Sequence, residues 1–122
     1  MTVLLSMRNV IIDKILLIKY YCTNAIHNLE TAQDNFLKIN NSYYDILISE
    51  LTYYISCLKD VRDNYINLAN QRYINCELID EILRITIEHL NEVKNQEMYL
   101  TDLVNIVIKD LKDCRNVLKD LT

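Results

Sequence analysis

The chain has 122 residues, 51% of them hydrophobic and 25% charged, a formal net charge of −4, and no glycine or proline. Ordinary usage would supply about eight or nine glycines and about six prolines at this length, and their absence disfavours tight hairpins, bulged strands and every glycine-rich phosphate loop together. The thirteen basic residues are dispersed among seventeen acidic ones, so no concentrated basic face favours nucleic acid.

The opening Met1–Tyr21 is apolar, but Arg8, Asp13, Lys14 and Lys19 interrupt it. No uncharged run approaches the ~20 residues that span a bilayer, and no small-residue cleavage pattern of a signal peptide follows. From Ile11 the apolar positions Ile15, Ile18, Cys22, Ala25, Leu29, Ala32, Phe36 and Ile39 alternate by four and three, which is one stripe of a helix over residues 2–39. Val3, Leu4, Leu5, Met7, Val10, Ile12, Leu16, Leu17, Tyr20 and Tyr21 add apolar surface outside that stripe.

Asn40 and Asn41 suit a left-handed helix end, and Ser42 with Asp45 resembles a capping box. So short a connection predicts an antiparallel second helix over 42–71. Its stripe is Tyr44, Leu47, Leu51, Tyr54, Leu58, Val61, Tyr65 and Leu68. A second break spans Asn70–Asn75, where Asn75 is the expected N-cap and Glu77, Asp80 and Glu81 face the positive end of the helix dipole.

The third stripe is the longest: Ile79, Leu83, Thr86, Leu90, Val93, Glu97, Leu100, Val104, Val107, Leu111, Cys114, Leu118 and Leu121. Its unbroken phase predicts one helix over 76–121, ~65–70 Å long. The expected fold is therefore all-α, a single domain built as an antiparallel up-down-up bundle of three long helices with heptad, coiled-coil-like packing. A break near Asn95 would make it a four-helix bundle.

Little in the chain points to catalysis. His27 lies three residues before Glu30, but position 86 is threonine, so His89 lacks the Glu-x-x-His spacing of a carboxylate-bridged metal pair. Cys22, Cys57, Cys76 and Cys114 form no Cys-x-x-Cys pair. Cys22 and Cys114 fall on the core stripes, which predicts buried, reduced thiols and a cytoplasmic, reducing compartment. Cys76 is the cysteine to watch, because a helix N-terminus lowers a thiol pKa. Glu97 could fix register, mark a helix break or face solvent. No catalytic residue, metal, cofactor or small-molecule substrate is expected.

The surplus apolar and aromatic residues point instead to a face for another protein. Leu5, Ile12, Leu16, Tyr20, Tyr21, Tyr43, Tyr53, Leu103 and Ile106 are the candidate interface residues, since tyrosine supplies large contact area at low entropic cost. The expected function is a non-enzymatic helical interaction module, a scaffold or small subunit, whose partner is a helical protein or a second copy of itself. Membrane-surface contact is disfavoured because the first helix carries few basic residues. The alternative is an inhibitor, encoded by a pathogen, that docks a helix face on a host protein; abundant Ile, Asn, Tyr and Lys, with A/T-rich codons, motivate it.

Overall fold

The computed structural model describes residues 2–39, 41–65, 75–96 and 101–121, with side chains from residue 12 onward except at 43 and 96. Four helices pack together: α1 (Thr2–Ile39), α2 (Asp45–Asp60), α3 (Cys76–Gln96) and α4 (Thr101–Lys119). No strand occurs among the described residues. None of these helices is long and apolar enough to cross a membrane.

The first helix has the predicted bounds, and α3 starts where its cap places it. The Asn75 side-chain oxygen accepts the Leu78 N–H at 3.0 Å, which satisfies one of the orphan donors of the first turn. The start of α2 differs from expectation. A 3-10 turn at Ser42–Tyr44 comes first, closed by Tyr44 N–H donating to the Asn41 carbonyl at 3.0 Å, and Tyr44 rather than Ser42 occupies the N-cap position. Within this tightened turn Tyr44 has right-handed backbone angles, φ −91° and ψ 0°. Beyond Asp60 the helix widens into a π turn at Val61–Tyr65. Asn40, Leu68, Asn70, Glu97 and Leu100 lie outside the described residues.

The single helix predicted over 76–121 is corrected. In one straight helix Asp80 and Arg115 would stand about 50 Å apart. Their side chains are instead joined by a two-point hydrogen bond, Arg115 Nε to Asp80 Oδ1 at 2.7 Å and Nη2 to Oδ2 at 3.2 Å, so α3 and α4 lie side by side.

Contacts between the other helices set their directions. Gln33 of α1 donates to the Ile48 carbonyl and to the Thr52 hydroxyl of α2, while Glu30 meets Lys59 at 3.4 Å, so α1 and α2 are antiparallel. The Cys114 thiol of α4 lies 3.9 Å from the Ile18 carbonyl, and Lys14 meets Asp120 at 3.9 Å, which makes α1 and α4 antiparallel too. Between α2 and α3 the Tyr54 ring leans on His89, centroids 5.7 Å apart.

One continuous apolar cluster fills the space between these helices, and the heptad stripes supply most of it. Ile15, Ile18, Leu29, Leu51, Leu58, Ile79, Leu83, Leu90, Leu111 and Leu118 are all buried. Each contributes about 1.5–3 kcal/mol by leaving water. Thr86, the polar member of the third stripe, is buried with its hydroxyl donating to the Ile82 carbonyl at 2.7 Å, so it leaves no orphan polar group. Two stripe residues leave the core at its edges: Ile39, in the last turn of α1, and Tyr65, in the π turn, are exposed. Ile26, Ile55, Ile87 and Ile108 widen the stripes into buried faces.

Candidate protein-contact face

The predicted interface residues divide into three groups. Leu16, Tyr20, Tyr53 and Ile106 stand exposed, at 48%, 58%, 63% and 50% of their surface. Ile12 is half-buried, and Tyr21 and Leu103 pack partly buried against the core. The side chains of Leu5 and Tyr43 are outside the described set.

The exposed members do not form one cluster. Leu16 and Tyr20 lie one turn apart on α1, with Leu17 (38% exposed) beside them. Tyr53 is on α2 and Ile106 on α4. The tyrosine pairs follow the geometry of successive helix positions, which point about 100° apart. Tyr53 is exposed while Tyr54 is buried, with their rings edge-on at 5.9 Å. Tyr20 and Tyr21 repeat this arrangement at 5.8 Å.

The electrostatics of the inward-leaning rings favour neutral phenols. Burial, reinforced by Glu50 and Glu92, pushes the Tyr54 hydroxyl up to about 12. Tyr21 is raised by burial and by the carboxylates Asp113 and Asp110. Asp110 is itself raised, by burial and then by Asp113. The exposed Tyr53 is raised as well, chiefly by the neighbouring Cys57 thiol.

A second apolar exposure lies at the corner between α1 and α2, where the sequence stripes gave no signal. Leu37, Ile39 and Ile46 are exposed there, at 55%, 54% and 75%. Beside them Phe36, Leu37, Asn41, Ser42, Asp45 and Ile48 line an open cleft of about 350 Å³. Leu37 and Ile46 each sit one residue from a core position, so their direction follows from the helix turn.

The residues considered for chemistry are scattered. Among the described residues no three His, Cys, Asp or Glu side chains are grouped to hold a metal ion. His27 and His89 are exposed. Cys76 reverses the expectation drawn from its place at a helix start: burial raises its thiol pKa instead of the dipole lowering it. A smaller cleft of about 160 Å³ separates Cys76, Glu77 and Asp80 from Leu118 and Lys119.

The best-formed polar contact is structural. Arg115 holds the Asp80 carboxyl below the ordinary carboxylate range through their two-point bond. A depressed folded pKa stabilises the fold above the unfolded value near 4, and that contribution is lost as pH falls through the folded pKa. Asp80→Asn is expected to cost at most about 1 kcal/mol at neutral pH, because the pair is partly exposed. Urea unfolding in acid should show the variant and parent curves converging; a constant gap across pH would deny the carboxylate this role.

No family model matches the chain, and no match was found among curated proteins or solved structures.

Proposed function

We propose that this protein is a non-enzymatic helical interaction module, a scaffold or small subunit that offers helix faces to another helical protein or to a second copy of itself. The finer architecture in this reading is an antiparallel four-helix bundle with heptad, coiled-coil-like packing. It is supported by the antiparallel α1–α2, α1–α4 and α3–α4 contacts and by the burial of the heptad stripes. A reducing, cytoplasmic setting belongs to the same proposal, supported by the buried Cys22 and Cys114 thiols.

The observation that carries it is the length of α1. Lys14 meets Asp120, just beyond the end of α4, yet α1 continues back to Thr2. Thr2–Asp13 adds ~18 Å of helix, at 1.5 Å per residue, on the far side of that contact. Its sequence, TVLLSMRNVIID, is mostly apolar. Ile12 within it and Leu16 and Tyr20 beyond it share one ridge at four-residue spacing, and two of the three are exposed. A ridge of this kind fits the groove of another helical surface.

Sedimentation of the reduced protein over a wide concentration range, with helicity followed in parallel, tests the reading. Dimers or larger species are expected, and Leu16→Glu combined with Tyr20→Glu should weaken association at least about tenfold. A compact, fully helical monomer at every concentration, which also captures no protein on cross-linking in its source extract, would overturn it.

A further inference from the structure

Two thiols meet where the first and last helices cross. Cys22 of α1 and Cys114 of α4 are both free and fully buried. Cys114 Sγ stands 3.9 Å from the Ile18 carbonyl, one turn before Cys22, so it seats on the same turn of α1 that carries the other sulfur. Cys22 is also the neighbour that most raises the Cys114 thiol. Cys57 and Cys76 are half-buried and belong to α2 and α3.

We propose that Cys22 and Cys114 are a buried dithiol which closes to an inter-helix disulfide in the presence of a small disulfide oxidant, clamping α1 to α4. Cys114 Sγ already lies against the turn of α1 that carries Cys22, so closure to the ~2.05 Å of an S–S bond brings no distant elements together. The oxidant is of the glutathione disulfide class. One thiol loses its proton and attacks that disulfide, forming a mixed disulfide and releasing one glutathione thiolate, which takes up a proton. The second cysteine, as thiolate, attacks the protein sulfur of the mixed disulfide and expels the second glutathione. Two protein thiols are oxidised, one glutathione disulfide is reduced to two glutathiones, and the chain loses two hydrogens.

Burial governs when this happens. Contact with Cys22 and the apolar surroundings hold Cys114 well above the ordinary thiol range, so the closed bundle contains almost no thiolate there. Attack therefore proceeds from molecules in which α1 and α4 have parted, and re-docking brings the second sulfur onto the mixed disulfide. Once made, the bond ties α1 to α4 and closes a loop from Cys22 to Cys114. A closed loop this long restricts the unfolded chain strongly, and the thermal midpoint is expected to rise by about 10 °C.

The test is to refold the protein from urea in a buffer of reduced and oxidised glutathione, trap it with acid, alkylate the remaining thiols and map its peptides by mass. A linked Cys22–Cys114 peptide two hydrogens lighter than the reduced pair is expected, with a raised thermal midpoint that returns to the starting value on reduction. Cys57→Ser combined with Cys76→Ser should retain both results, and this variant leaves the core thiols untouched. The proposal is overturned if that variant yields only mixed glutathione adducts, if the parent links Cys57 or Cys76 instead, or if the linked protein melts no higher than the reduced one.

Discussion

Leu111→Asp is expected to abolish the folded state. Leu111 is fully buried on α4, in the apolar cluster that the four helices share. Removing a buried leucine to alanine size already costs about 2–5 kcal/mol. An aspartate adds a carboxylate to that apolar cluster, either ionised and desolvated or protonated by a raised pKa. The sum exceeds about 5 kcal/mol, comparable with the whole stability of a chain this size. Leu51→Asp, at an equally buried position on α2, should do the same. Far-UV circular dichroism at 25 °C would then report loss of helix and of the cooperative urea transition. Leu37→Asp, at a half-exposed position, should leave both in place. Tolerance of aspartate at both buried leucines would mean that the helices present other faces to one another.

Phe36→Ala should be the most costly change at the corner between α1 and α2, by about 3–5 kcal/mol. The ring is 3% exposed and packs on Tyr44 with centroids 4.7 Å apart at a tilt of 41°. It joins the last turns of α1 to the 3-10 turn that redirects the chain. Phe36→Leu keeps most of the apolar volume and should cost under about 1.5 kcal/mol. Urea titration separates the cases: the midpoint should fall with an unchanged slope, as for lost packing in the folded state. A loss below about 1 kcal/mol for the alanine variant would show that the corner is held by its backbone hydrogen bonds and not by the ring.

The all-helical character and most of the core were legible before any coordinates, because they rest on periodicity. Every described member of the third stripe except the terminal Leu121 is buried, including Cys114 and the polar Thr86. The break in that stripe was much harder to see. Its phase runs unaltered from Ile79 to Leu121, so the two helices read as one; a heptad count records which face is apolar and is blind to a reversal that preserves the phase. With no glycine or proline in the chain, the usual punctuation is missing, and only polar residues such as Asn95 and Glu97 hint at the break.

The contact residues show a different limit. Composition suggested surplus apolar surface, but Ile12, Tyr21 and Leu103 turn partly toward the core, while Leu37 and Ile46 point outward. A bundle core wider than a single a/d seam absorbs some flanking positions, and which ones depends on how four helices are rotated against each other. That rotation is a property of the assembled molecule and has no local signature. Asn75 is the opposite case, since a cap acts within one turn and could be placed from its neighbours alone.

The pairing of α1 with α4 also has a consequence for synthesis. The Ile18 carbonyl and the Cys114 thiol are 96 positions apart, and α1 makes its broadest contact with α4. At about 5–20 residues per second, the first helix leaves the ribosome several seconds, and up to about 20 s, before its main partner has been made. Throughout that interval Ile15, Ile18 and Cys22 have no α4 to cover them. The nascent chain therefore passes through a stage at which its stickiest segment is finished and its lid does not yet exist, a stage at which chaperones or a preformed partner would act.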